Sequence, residues 1–144
     1  MLTASRLLVA VSARSIASVD ESITIAQFRV LVVLDVHGPL KLAALAEYLA
    51  VNPSTATRMV DRLVAADLVS RAANPASRRE LVVTLTEGGS AVVRQVTQRR
   101  RAEITRIVGR MPVTTRRGLV RALSAFAEAG DEPLVGQNVD GFWV

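Results

Sequence analysis

The chain has no cysteine, so a disulfide framework, a thiolate zinc site and a thiol redox switch are all excluded. It has one histidine, His37, which leaves a metal site short of its commonest ligand. His37 also stands in a helix-ending His-Gly-Pro turn, which does not suit a Ser-His-Asp arrangement. There is no glycine-rich phosphate loop, and no His/Asp/Glu cluster has ligand spacing. No metal, no cofactor and no enzymatic activity are therefore expected. Long apolar runs are missing too. Leu7 to Val11, Val30 to Leu34 and Leu42 to Ala46 are the longest, far below the about 20 residues of a spanning helix. Leu2 to Ala17 lacks the ordered charged head, apolar middle and small-residue cleavage site of a signal peptide and reads as a helix. A cytoplasmic protein with no membrane partner is expected. Lysine is almost absent, Lys41 being the single one.

What is present is apolar and arginine-rich. The 144 residues suffice for one well-buried domain. Half of them are hydrophobic, a surplus that in a small protomer suits a subunit interface. The net charge of +5 and a pI near 11.2 suit a polyanionic partner. Its distribution is more informative. Between residues 52 and 80, Arg58, Arg62, Arg71, Arg78 and Arg79 face only Asp61 and Asp67 before Glu80 is reached.

That segment has the outline of a winged DNA reader. Asn52 is placed to cap a helix, and Pro53 occupies its first position, where a missing N–H is harmless. Ala56, Met59, Val60 and Leu63 recur at helical spacing, leaving Ser54, Thr55, Thr57, Arg58 and Arg62 for the other face. Upstream, Leu42, Leu45, Ala46 and Leu49 mark a short helix, and Ala50-Val51-Asn52 is a connection of helix-turn-helix length. Downstream, Val69 to Arg71 and Leu81 to Leu85 read as strands joined by a loop carrying Asn74-Pro75 and Arg78-Arg79. An arginine on such a loop suits a narrow, electronegative minor groove. The hydroxyls of Ser54, Thr55 and Thr57 equally suit local backbone bonds.

The chain resembles the MarR family of transcriptional regulators. The resemblance runs from about residue 5 to 125 and is carried by Ile23 to Leu31, His37-Gly38-Pro39-Leu40, Leu42 to Ala46, Thr57-Arg58-Met59-Val60-Asp61-Arg62-Leu63, Leu68 to Arg71, and Arg78-Arg79 followed by Leu85-Thr86-Glu87-Gly88-Gly89. It implies a mainly α fold with a small β-hairpin wing, a winged helix-turn-helix flanked by N- and C-terminal dimerisation helices. One domain is expected over 1–144, with dimerisation helices at 3–20 and 90–130, the reader at 24–88 and a tail at 131–144. The implied function is a homodimer on pseudo-palindromic double-stranded DNA, a repressor relieved by a small aromatic or phenolic effector. Lys41, Ser54, Thr55, Thr57, Arg58, Arg62, Arg78 and Arg79 are the expected DNA-binding residues. The implied effector pocket lies near the second helix, with Arg14, Phe28, Arg29 and His37 as candidate liners. The alternative is a winged-helix module that binds a protein partner, or DNA without an effector; apolar residues at the exposed reader positions would mark the protein-binding version.

Two departures from the family pattern stand out. Relatives commonly carry Asp-x-Arg in the wing, whose acid orients the arginine; here Ser77-Arg78-Arg79 lacks that charge-assisted partner. Relatives often cap the reader's first helix with Thr or Ser; here Lys41 stands there, suited to a phosphate. Around the reader, residues 3–18 and 24–37 read as amphipathic helices. Thr86 is placed to cap a long helix to Arg110, and Thr114 or Thr115 starts a last one that stops at Gly130. Arg99-Arg100-Arg101 reads as mostly a solvated face. The tail ends in Phe142-Trp143-Val144, either a frayed end or a hydrophobic latch.

Overall fold

A computed structural model of the chain describes residues 1–132. The latch expected of Phe142-Trp143-Val144 lies outside the described residues. The elements run α1 (Leu2–Ala17), α2 (Ile25–His37), β1 (Leu40–Lys41), α3 (Leu42–Leu49), α4 (Pro53–Ala65), β2 (Val69–Asn74), β3 (Ser77–Leu85), α5 (Glu87–Gly109) and α6 (Val113–Ala129). They fall into two compact units, 1–103 and 104 onward. The first holds the whole reader.

Local chemistry sets the helix starts. Thr24 and Gln27 form a capping box at α2: the Gln27 N–H donates to Thr24 Oγ1 at 3.1 Å, and the Thr24 N–H donates to Gln27 Oε1 at 2.9 Å. Asn52 Oδ1 accepts from the Thr55 N–H at 2.8 Å above Pro53, as the sequence predicts for α4. Ala50 turns the chain out of α3 in the left-handed region, φ 54°. α6 starts at Val113, just before the expected threonines, because the Pro112 carbonyl already accepts from the N–H groups of Thr115 and Arg116. In this second unit the Arg116 guanidinium reaches back to the end of α5, donating to the Met111 carbonyl at 2.9 Å and to that of Gly109 at 2.6 Å.

The sheet is antiparallel in the order β1-β3-β2. Its strands are longer than the sequence suggests, because Asn74 Oδ1 accepts from the Ala76 N–H at 3.0 Å and closes the turn at Pro75-Ala76. Arg78 and Arg79 thus stand within the span of β3 rather than on an open loop. The ladder is irregular there: Ala73 pairs with Leu81, but Asn74 pairs with Ser77, leaving Arg78, Arg79 and Glu80 without partners on β2.

The core of the first unit joins α2, the reader helices and the sheet. Leu31, Leu45, Val60, Val83 and Val96 are fully buried within it. Truncating such a side chain to alanine costs about 2–5 kcal/mol for leucine. The reader therefore sits on a packed base. α6 is different, with no buried residue along its length.

Candidate nucleic-acid interface

One turn of sequence separates what α4 packs from what it presents. Ala56, Val60 and Leu63 are buried, whereas Ser54, Arg58, Asp61 and Arg62 are exposed on the opposite stripe. Thr55 and Thr57 border that stripe, half-buried. The structure thus brings all five expected α4 contacts to one side of the helix.

Their hydroxyls are engaged locally. Ser54 Oγ donates to Asn52 Oδ1 at 2.8 Å and Thr57 Oγ1 donates to the Pro53 carbonyl at 2.9 Å. Each hydroxyl has one hydrogen to give and two lone pairs to accept with. Ser54 and Thr57 are thereby set as acceptors toward a ligand. Arg58 Nη2 donates to Thr55 Oγ1 at 3.4 Å, which steadies the guanidinium without neutralising it.

Two of the reader's acids, Asp61 and Glu80, are held elsewhere. Asp61, the carboxylate on the exposed stripe, pairs with Arg71 of β2, which also ties α4 to the wing strand. Glu80 accepts from Lys41 Nζ at 3.0 Å, and its Oε2 accepts from Asn74 Nδ2 at 3.0 Å. The Lys41 ammonium, and then the Asn74 amide, hold the Glu80 carboxyl below its ordinary value. Among the described residues no carboxylate pairs with Arg58, Arg62, Arg78 or Arg79. The candidate interface is a run of guanidinium groups without a carboxylate partner, with Asp61 and Glu80 masked.

Sequence reasoning missed both pairings, because Asp61 and Arg71 lie on different elements and Lys41 and Glu80 are far apart in the chain. Lys41 was expected to be free for a phosphate; the structure places it beside Glu80 at the start of α3, where it makes no side-chain cap.

Among the described residues the four candidate effector liners each make their own contacts, and none lines the cleft between the start of α2 and α4. Arg14 pairs with Glu103. Phe28 is buried beneath Arg100, whose guanidinium carbon lies 5.5 Å from the ring centroid. Arg29 is half-buried on α2. His37 stacks on Tyr48 with ring centroids 4.2 Å apart, and it lies nine residues from Phe28 along α2, about 13 Å at helical rise. Arg100 is also a correction to the solvated arginine face: it is half-buried, burial lowers its pKa, and its Nε is sealed from solvent without a hydrogen-bond partner. An open cleft of about 360 Å³ lies elsewhere, between the start of α2 and α4, lined by Thr24, Gln27, Thr55, Arg58, Met59 and Arg62 among others.

A sequence profile of the MarR family matches residues 23–81, from the start of α2 into β3. The crystal structure of RV1404 from Mycobacterium tuberculosis superposes with a TM-score of 0.89 at 62% identity, covering 94% of this chain and 92% of that one. The chain belongs to the MarR family. The transcriptional repressor MdtR of Bacillus subtilis is 37% identical over 86 residues, 60% of this chain and 56% of that protein. Matches to the first curated relatives span about half of those proteins' length. A mutant MarR from Escherichia coli, solved in complex with operator DNA, matches with a TM-score of 0.67 at 27% identity, covering 85% of this chain and 86% of that one. The mainly helical winged fold with its three-stranded sheet matches these structures. Among the described residues no helix is long and apolar enough to cross a membrane.

Proposed function

We propose that this chain is a sequence-specific DNA-binding transcriptional regulator that acts in the cytoplasm as a homodimer on a pseudo-palindromic site. The observation that carries the reading is the set of free guanidinium groups on α4 and the wing, displayed on one packed base while Asp61 and Glu80 are masked by Arg71 and Lys41. Arg58, with Ser54, Thr55 and Thr57, contacts bases; Arg78, Arg79 and, once released, Lys41 contact backbone and minor groove. Arg62 reaches phosphate or base at the helix flank. The exposed reader positions are polar, against a protein-binding module.

A dimer accounts for the apolar surface that a lone protomer leaves bare. Leu7, Leu8 and Val9 of α1 are exposed, and so, on α6, are Val113, Val120, Leu123 and Phe126. Two-fold pairing would set recognition helices about 34 Å apart, one DNA turn. Repression relieved by a small aromatic or phenolic molecule is the regulatory part of the proposal. The E. coli relative was solved with operator DNA, and regulation of DNA binding by 6-hydroxynicotinic acid is described for BpsR of Bordetella bronchiseptica. In this chain a ligand in the α2–α4 cleft would engage Arg58 and Arg62 and withhold them from DNA.

The test is a gel shift against the DNA upstream of the chain's own gene, repeated across salt concentrations. A retarded band that outlasts competitor duplex, with affinity falling linearly in log salt, is expected. Equal binding to operator and scrambled duplex at every salt concentration would overturn the reading.

A further inference from the structure

The wing arginines sit on an irregular stretch of strand. If the regular register of β2 and β3 continued past Ala73 and Leu81, Asn74 would face Glu80; instead it faces Ser77, and Arg78, Arg79 and Glu80 bulge from the ladder. A stretch of this kind is locally disrupted in its pairing with β2, so the ladder fixes less well where its side chains point. The side chains restore part of what the backbone gave up. Glu80 Oε2 accepts from Asn74 Nδ2 at 3.0 Å, bridging the pair of positions that the ladder skips. The other end of Asn74 accepts from the Ala76 N–H at 3.0 Å, so one amide ties the turn to the foot of the bulge. Lys41 Nζ reaches the same carboxylate from β1, at 3.2 Å to Oε1 and 3.0 Å to Oε2. Three strands thus meet on one carboxyl group.

We infer that Glu80 is the positioning residue of this wing: its carboxylate clamps Asn74 and Lys41 and so closes the bulge that presents Arg78 and Arg79. Ser77 supplies no carboxylate, and Glu80 does so from the far side of the arginines. It acts on the strand beneath them rather than on a guanidinium, since neither Arg78 nor Arg79 pairs with it. A negative charge this close to a polyanion is unfavourable in Coulomb terms alone. Its place in the wing is explained by order.

The inference rests on the wing being a DNA contact, so the first readout uses no DNA. Backbone ¹⁵N order parameters of Arg78 and Arg79 are compared in the full chain and in Glu80→Ala, Glu80→Gln and Asn74→Asp. Glutamine keeps an oxygen for Asn74 Nδ2. Aspartate at 74 keeps the acceptor for Ala76 but replaces the donor toward Glu80 with a repelling oxygen. Order at both arginines should fall in Glu80→Ala and Asn74→Asp and fall less in Glu80→Gln, which keeps the bond to Asn74 and loses the ion pair with Lys41. Unchanged order in Glu80→Ala overturns the inference. The second readout is the ratio of affinities for operator and scrambled duplex. It should fall roughly threefold to tenfold in Glu80→Ala, the equivalent of one hydrogen bond, and survive in Glu80→Gln, which binds both duplexes more tightly because Lys41 is freed. Tightening of both duplexes by the same factor in Glu80→Ala would show a charge effect only and overturn it. Loss of order in Glu80→Ala alongside a wild-type chain that binds no duplex would leave the clamp standing and refute the DNA reading instead.

Discussion

Among the described glycines Gly89, in the first turn of α5, leaves the least room for a side chain, and replacing it with alanine is a direct test of how the wing is seated. A Cβ built there would lie 2.1 Å from the Leu68 carbonyl oxygen and 2.7 Å from Leu85 Cδ1, where ordinary contact begins at 3.4 Å. The Leu68 carbonyl is not free to move: it accepts from the Thr86 N–H at 3.1 Å at the junction of β3 and α5. Thr86 in turn donates its hydroxyl to the Asp67 carbonyl at 2.8 Å and accepts from the Gly89 N–H at 3.0 Å. Relief of the clash therefore requires a backbone shift on the order of 1 Å. Overpacking of this kind costs about 1–3 kcal/mol, and loosening one hydrogen bond adds about 1 kcal/mol. Alanine returns at most about 1 kcal/mol of helix propensity. The net loss is about 2 kcal/mol, a fall in Tm of roughly 7 °C for a chain of this size. Differential scanning calorimetry at one fixed protein concentration reads it, since association would also move Tm. A Gly89→Ala variant that melts at or above wild type would refute the close approach.

Arg58→Ala should weaken operator binding by about 1–3 kcal/mol and relax sequence preference, whereas Arg79→Ala should weaken all duplexes alike and lower the salt slope by about 1; fluorescence anisotropy titrations on operator and scrambled DNA separate the two. Phe126→Glu, at a position 66% exposed on α6, should shift light-scattering mass from dimer toward monomer, and an unchanged mass would remove α6 from the interface. Because Glu80 is held below its ordinary value of 4.5 by Lys41 first and Asn74 second, its contribution to wing order is present above the unfolded carboxyl's pKa and lost as pH falls through the lower folded value. A side-chain carboxyl ¹³C titration should put the Glu80 midpoint below 4.5; a midpoint at or above that value contradicts the clamp geometry.

The recognition helix was legible because its signals are local: Asn52, Pro53 and the apolar spacing of Ala56, Val60 and Leu63 all act within one turn or two. The same holds for the Thr86 cap of α5. The wing was legible as a hairpin but not in its register, since a bulge depends on which residues face each other across strands. Lys41 with Glu80, and Asp61 with Arg71, are contacts between elements, and nothing in sequence spacing marks them. Arg100 was misread for a related reason. Three consecutive arginines point three ways around a helix, and only packing of Phe28 beneath one of them decides which is desolvated. The partners of the candidate effector residues, Glu103 for Arg14, Arg100 for Phe28 and Tyr48 for His37, lie on other elements, which sequence spacing does not reveal.

α6 has seventeen residues and buries none of them. A helix that long is only marginally stable by itself in water. It has no side-chain cap and no acidic residue in its first turn, and the Arg116 bonds to the end of α5 tie down only its start. In the proposed dimer its order would be a property of the population rather than of the molecule, firming as copies meet and loosening on dilution. A cell holding few copies would keep a share of chains with a finished reader and an unfinished end. If the proposed dimer holds, abundance itself would set the fraction able to span two successive grooves, and a small change in synthesis or degradation would alter occupancy more steeply than in proportion.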